Sequence, residues 1–222
     1  MTIKRWTDIV IGSLLGVAAL PVILVLALGS ALTFRTWPFF VQERIGRGGR
    51  PFRFLKLRTL PKDTPTTADK YALADSTRIP AYGRFLRHTH LDELPQLLLV
   101  PLGWMSLVGP RPEMPNVLAD YPPDFAAARS CVRPGCTGLW QVSTSSTKLI
   151  YEVPEYDRLY LRHGGLRLDA WILYRTARTL LPGTRYIELA DVPRWALNGH
   201  RQRSVPADNR VARADRSAEA YE

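Results

Sequence analysis

From Ile9 to Phe34 the chain carries no charged residue. At about 1.5 Å per helical residue, such a run is long enough to cross the roughly 30 Å hydrocarbon core of a bilayer, so the sequence predicts membrane contact. Pro21 stands near the middle of the run. It removes one helix hydrogen bond and clashes with the preceding turn, so a kink is expected there, and each half alone is too short to span. Lys4 and Arg5 precede the run, and Arg35, Arg44, Arg47, Arg50, Arg53, Lys56 and Arg58 follow it. Lys and Arg are retained on the cytoplasmic side, so a straight span would put one basic cluster on the wrong side, whereas a re-entrant hairpin broken at Pro21 keeps both inside. A kinked transmembrane helix is the alternative that the residues alone leave open. A signal peptide fits worse, because its apolar region is shorter, about 7–15 residues, and a basic stretch after it resists export. Trp37, Phe39 and Phe40 continue the theme as rings suited to the headgroup level.

The 222 residues leave room for one globular domain with a real core and a short appendage. Thirty Lys and Arg against twenty Asp and Glu give a formal net charge of +10, which points to an anionic partner: nucleic acid, an anionic membrane surface or a phosphorylated substrate. Cys131 and Cys136 are the only cysteines. They are too few for a disulfide scaffold, and with no His at zinc-ligand spacing they read as reduced, buried thiols of a cytosol-facing protein.

Gln42 to Leu60 has glycines at a turn (Gly46, Gly48, Gly49), then alternates Phe52, Phe54, Leu55 and Leu57 with Arg53, Lys56 and Arg58. This predicts a hairpin or short strand with a basic face. Residues 61–76 are polar and read as an exposed loop. Arg84–Arg87 and Leu94–Val100 are short helical candidates, the second limited by Pro101. Leu166–Leu181 places Leu168, Trp171 and Ile172 at helical spacing among Arg167, Arg175 and Arg178, a pattern that suits an interfacial helix or a core-facing one equally. Beyond Asn198 little remains to bury, and a disordered tail over 199–222 is expected.

Two adjacent carboxylates, Asp92 and Glu93, introduce a proline-broken apolar run, HLDELPQLLLVP. Neighbours on a helix do not share a face, so they cannot form a two-sided acid and base pair. If a helix begins at them, with Pro95 inside its first turn, its positive end favours both ionised carboxylates and an approaching phosphate. An ionised Asp is a competent nucleophile at phosphorus, and a Glu is a natural oxygen ligand for Mg²⁺. The bland reading of a bare Asp-Glu pair is a cap and a solvated acid. Downstream, MSLVGPRP fixes Arg111 between two prolines, and a guanidinium held in place suits bidentate phosphate contact. His88 and His90 lack a third ligand and read as surface or helix-start residues. Trp140 and Gln141 face a nucleotide or pack the core.

The ordered set ERIGRGGRPFRFLKLRT, GRFLRHTHLDELPQL, MSLVGPRP and RPGCTGLWQV resembles the bacterial sugar transferases, the monotopic polyprenyl-phosphate phosphoglycosyltransferases. The similarity runs from about Lys4 to Leu181. It implies an α-rich α+β fold: a small monotopic membrane enzyme with a re-entrant helix hairpin over residues 1–35, a catalytic domain over 36–198, and amphipathic interfacial helices. It further implies the cytoplasmic face of the inner membrane. By resemblance, Asp92 attacks the sugar-proximal phosphate of a UDP-sugar, releasing UMP, and polyprenyl phosphate then takes the phosphosugar off. Glu93 holds Mg²⁺, Lys56, Arg58, Arg87 and Arg111 bind substrate, and Pro21 breaks the hairpin. Membrane lipids are further partners, nucleic acid is not, and a homo-oligomer is left open.

The sequence departs from the family pattern in places. Leu20 stands where Ser usually precedes the hairpin proline, and Leu99, Leu102 and Trp104 stand where Asn, Arg and Asp are usual. The usual KFRTM is KLRTL, and Pro80 replaces a Thr. These departures remove one ion pair near the site, but the Asp92–Glu93 dyad is intact. The competing reading is a catalytically idle membrane-bound scaffold that holds an anionic lipid or a glycan-assembly partner. A membrane-tethered nucleic-acid binder ranks last, since the sequence has no reading element or interleaved aromatic platform.

Overall fold

The computed structural model of the protein describes residues 2–62, 64, 79–181 and 183–197. The loop expected at 61–76, apart from 61, 62 and 64, and the tail expected at 199–222 lie outside the described residues. The architecture is helix-rich with little sheet, as an α-rich α+β chain requires. The uncharged run forms one helix, α1, from Ile3 to Phe34, ended by Arg35 in the left-handed region. Pro21 lies inside α1 and does not divide it into two elements. The buried positions Arg5, Asp8, Gly12, Gly16, Ile23, Ala27 and Ser30 recur at helical spacing and form a single stripe. The opposite face exposes Trp6, Leu14, Val17, Leu24, Val25 and Leu32.

Both halves of that stripe pack on the same body. Near its start, Arg5 donates to the carbonyls of Val100 (2.8 Å) and Pro101 (2.9 Å), and Asp8 accepts from Ser106 Oγ (2.8 Å) and the Leu107 N–H (3.1 Å). Near its end, Tyr82 donates to the Leu26 carbonyl (2.7 Å) and Ser30 to the Arg58 carbonyl (2.6 Å). Gly12 permits the close approach, since a Cβ there would come within 2.6 Å of Val100 Cγ1.

The expected hairpin is present. Strands β1 (Phe39–Ile45) and β2 (Pro51–Leu57) pair antiparallel, Phe39 opposite Leu57 and Ile45 opposite Pro51. Gly48 and Gly49 supply the positive φ of the turn. One part of the strand reading is corrected. Lys56 does not belong to the outward basic face with Arg53, because the two-residue period puts it on the same face as buried Phe52 and Phe54.

Helix α2 (Ala81–His88) follows, then a 3-10 helix over Leu91–Leu99. Pro95 inside this segment and Pro101 just after it each lack the donor an α-helix would use, consistent with the tighter, short winding. Strands β3 (Ser106–Val108) and β4 (Gly135–Thr137) pair in parallel, Ser106 beside Gly135 and Val108 beside Thr137. A Cβ on Gly135 would collide with the backbone nitrogen of Gly109, so the glycine lets the loop carrying Arg111 close against β4. Short helices α3 (Pro115–Ala119) and α4 (Pro123–Ser130) cross between these strands, and α5 (Glu155–His163) and α6 (Leu166–Thr179) close the body. The core joins Phe54, Val100, Met105, Leu107, Leu139, Trp140, Leu168, Ile172 and Ile187. Leu168 and Ile172 therefore make α6 a core-facing helix along that stripe, while Leu166 and Tyr174 remain exposed. A smaller cluster, Ala27, Leu57 and Leu86, seats α1 on the hairpin and α2.

Candidate active site

The site assembles where β2, the 3-10 helix and the loop after β3 meet. Asp92 and Glu93 occupy the first turn of the 3-10 helix, placed there by His90, which holds a left-handed φ of 56° at the N-cap position. That conformation is uncommon for a residue with a Cβ, though His is among the types that adopt it more readily. From the inward face of β2, Lys56 Nζ reaches Glu93 Oε1 at 2.7 Å and lies 5.4 Å from the centre of the Phe54 ring. From the PRP loop, Arg111 Nη2 reaches the same oxygen at 3.2 Å.

The two neighbouring carboxylates are driven in opposite directions. For Glu93, burial favours the neutral acid, but the charges and hydrogen bonds of Lys56 and Arg111 outweigh it and hold the group well below the usual carboxylate range. For Asp92, burial is the largest influence and, with the negative charge of Glu93, pushes the carboxyl up, while Lys56, Arg87 and His90 pull partly back. Asp92 is 7 % exposed, and among the described residues no hydrogen bond engages its carboxylate.

Arg87 reaches the same locality. Its Nε donates to Thr59 Oγ1 (2.9 Å), burial lowers its pKa, and the charge of Asp92 opposes that shift. Arg58 does not join the pair: its Nε donates to the Trp37 carbonyl (2.9 Å), at the end of α1. His88 and His90 are exposed at the end of α2 and at the 3-10 start, Trp140 packs the core, and Gln141 donates to the Cys136 carbonyl (3.3 Å). Both cysteines are free and neither is fully buried as the sequence suggested: Cys131, at the end of α4, is exposed, and Cys136 is half-buried. Burial of Cys136 pushes its thiol well up, which keeps it protonated.

Sequence reasoning missed the support behind Arg111. Buried Arg129 donates from Nη2 to the Arg111 carbonyl (2.7 Å) and from Nε to Asp157 Oδ2 (2.8 Å), with its guanidinium 5.1 Å from the centre of the Tyr121 ring. Arg44 adds an ion pair to Glu113 (3.6 Å) and a hydrogen bond to the Pro112 carbonyl (3.2 Å). Nothing in AAARS marks its arginine as buried. The Glu two residues beyond Arg111 was the available hint.

Among the described residues no three His, Cys, Asp or Glu side chains group into a self-sufficient metal site. Mg²⁺ does not require one, since it is commonly held by one or two carboxylates together with substrate phosphates. Both cations fall on Glu93 Oε1, and no hydrogen bond among the described residues engages Oε2, so the donor set fits an ion that arrives with a diphosphate.

The sequence model of the bacterial sugar transferase family matches residues 1–183. Among curated proteins the chain is 34 % identical over 183 residues to a UDP-glucose:undecaprenyl-phosphate glucose-1-phosphate transferase of Klebsiella pneumoniae, covering 79 % of this chain and 39 % of that protein. It is 40 % identical over 189 residues to a protein of the same name from Caulobacter vibrioides (80 % of this chain, 69 % of that protein). A UDP-N-acetylgalactosamine-undecaprenyl-phosphate N-acetylgalactosaminephosphotransferase of Aeromonas hydrophila is 33 % identical over 193 residues (82 % and 44 %). The chain thus spans about two fifths of the Klebsiella and Aeromonas proteins and more of the Caulobacter one.

Proposed function

The chain belongs to the bacterial sugar transferase family, and from that premise we propose that it transfers a sugar-1-phosphate from a UDP-sugar to undecaprenyl or a related polyprenyl phosphate, releasing UMP, as a membrane step of polysaccharide assembly. The observation that carries this reading is the geometry of the dyad: Glu93 held by Lys56 at 2.7 Å and Arg111 at 3.2 Å, with Asp92 buried beside it and, among the described residues, no hydrogen bond on its carboxylate.

An Asp92 carboxylate oxygen attacks the sugar-proximal phosphorus of the UDP-sugar. The bond from that phosphorus to the bridging oxygen breaks, and UMP departs with the electron pair. The phosphosugar then sits on Asp92 as an acyl phosphate. An oxygen of polyprenyl phosphate attacks the same phosphorus, the bond to Asp92 breaks, and the carboxylate is restored. Two displacements let the nucleotide leave before the lipid phosphate enters. Arg111 and Arg87 offset the charge of the phosphates, and Lys56 positions Glu93. Glu93 would hold Mg²⁺, whose chemistry is to neutralise charge on the diphosphate.

The membrane segment is monotopic in this reading, with residues 1–35 entering and leaving by the cytoplasmic face and residues 36–198 forming the catalytic body. Support comes from the attachment of both halves of α1 to one body, by Arg5 and Asp8 at one end and Leu26 and Ser30 at the other. A straight span would carry one end about 30 Å away across the hydrocarbon.

The test is to offer purified protein a panel of UDP-sugars with Mg²⁺ and no lipid, and to measure UMP and the intact protein mass. One sugar yields stoichiometric UMP and a phosphosugar adduct, and Asp92→Asn yields neither. UMP appearing only when lipid is also present would replace the covalent route with direct attack by the lipid phosphate.

A further inference from the structure

The turn after the 3-10 helix turns two large apolar side chains outward: Leu102 is 69 % exposed and Trp104 47 %. These are two of the positions where the sequence departs from its family pattern. The turn is braced from several directions. Arg5 donates to the carbonyls of Val100 and Pro101, Arg133 Nε donates to the Gly103 carbonyl (2.8 Å), and Gly103 supplies the positive φ, 90°, that reverses the chain. Trp104 is backed by the Phe52 ring, stacked 6.2 Å away at 10°. A braced turn that presents Leu and Trp to water has an unmet apolar surface unless something covers it.

Two features of the surroundings identify the cover. The turn adjoins the uncharged run of α1: Arg5 grips the carbonyls of Val100 and Pro101, and a Cβ on Gly12, inside that run, would meet Val100 Cγ1 at 2.6 Å and Pro101 Cδ at 3.8 Å. A cation also stands directly beside it, with Arg133 donating to the Gly103 carbonyl. Arg133 feels the positive charges of Arg5 and Arg47, with Asp8 as the opposing charge, and Arg47 is exposed. An interfacial Trp beside guanidinium groups complements a layer of apolar chains topped by phosphates.

We infer that the Pro101–Trp104 turn is a second membrane contact, which sets Leu102 and Trp104 at the headgroup level of an anionic bilayer while Arg47 and Arg133 meet lipid phosphates. The inference rests on the reading of α1 as membrane-embedded and deepens it. The catalytic body is then held at two places, by α1 and by this turn, which fixes its tilt over the bilayer and not merely its tether.

The experiment places a nitroxide at Leu102→Cys in a Cys131→Ser background of the full chain, reconstituted in nanodiscs containing phosphatidylglycerol. Parallel labels go at Leu24→Cys on α1 and at Arg53→Cys on the exposed face of β2, and unlabelled Cys136 is checked with the parent. Collision rates with oxygen, which partitions into lipid, and with a water-soluble nickel chelate are measured. Position 102 is expected to favour oxygen several-fold more than position 53 and less than position 24. In discs of phosphatidylcholine alone, or with Arg47→Gln, it shifts toward the aqueous value. A label at 102 that behaves like that at 53 while 24 reads as lipid-buried overturns the inference and leaves the membrane reading of α1 standing. A label at 102 shielded from both reagents means that protein covers the turn, and likewise overturns it. An aqueous value at 24 removes the premise and the inference with it.

Discussion

Lys56 Nζ lies 2.7 Å from Glu93 Oε1, the same oxygen that Arg111 reaches at 3.2 Å. One carboxylate oxygen thus anchors two cations from different parts of the chain. Glu93→Gln keeps the shape but removes the charge that holds them, and it removes the ligand proposed for Mg²⁺. UMP release should fall on the order of 10²-fold, and the variant should need more Mg²⁺ to reach half of its own maximum. Excess EDTA should abolish turnover, with Mg²⁺ or Mn²⁺ restoring it; undiminished activity in EDTA sinks the metal proposal. Arg111→Lys keeps a charge but loses the planar fork, so its loss should be smaller than that of Glu93→Gln.

The raised Asp92 carboxyl and the depressed Glu93 predict a single acid limb. Only ionised Asp92 can attack, so kcat/KM should fall as pH drops through a pKa above the ordinary Asp value of about 3.9, while Glu93 stays ionised across that window. Lys56 lowers the Asp92 pKa, so Lys56→Met should move the limb to higher pH. A limb that stays in place would assign it to another group. The same shift has a stability sign. A carboxyl raised by folding contributes stability below its unfolded pKa and loses it as pH rises through the folded one. Asp92→Asn cannot ionise, so at neutral pH it should melt no lower than the parent while losing turnover.

Much of this was legible in the sequence because it rests on local signals. The glycines at 46–49 fixed the β1–β2 turn, the apolar spacing gave α6, and the ordered motifs proved to be spatial neighbours: MSLVGPRP and RPGCTGLWQV meet as the β3–β4 pair. Some of what was misread was local, and some depended on tertiary context. Lys56 looked like one of a basic row, and strand period alone turns it inward. Arg129 lies in an alanine-rich helix with no local mark of burial, and its value appears only when Asp157 arrives from α5 and the Arg111 carbonyl from a separate loop. Pro21 marks a weak point in a helix, yet it does not end α1, because packing along the whole stripe from Arg5 to Ser30 sustains the winding on both sides.

The Arg129–Asp157 pair yields a stability prediction. Both side chains are nearly inaccessible, 5 % and 3 %, so removing one partner leaves an unpaired charge in the interior. Asp157→Ala should cost about 3–5 kcal/mol, read as a lower midpoint in chemical denaturation, and Asp157→Asn should cost less because an acceptor remains. A midpoint within error of the parent for Asp157→Ala would mean that water or Glu113 takes over the guanidinium. Because Arg129 also holds the Arg111 carbonyl, the Asn variant should raise KM for the UDP-sugar even where it folds fully.

The attachment of both ends of α1 to one body makes topology testable without the enzyme assay. If residues 1–35 enter and leave by the cytoplasmic face, cysteines placed at Ile3 and at Thr36, in a Cys131→Ser background, should both resist an impermeant thiol reagent added outside intact cells and both react in inverted vesicles. Opposite behaviour at the two positions would establish a spanning helix. That geometry would require one set of contacts to break, either Arg5 with Val100 and Pro101 or Ser30 with Arg58. Pro21→Ala supplies the internal control. It restores the helix hydrogen bond that proline removes and relieves the clash with the preceding turn, so it should shift a fraction of molecules toward the spanning form and expose one of the two cysteines. An unchanged labelling pattern would assign the topology to the anchoring contacts of Arg5, Asp8, Leu26 and Ser30 rather than to the proline. Loss of those contacts, by Asp8→Ala with Ser30→Ala, should then succeed where Pro21→Ala does not.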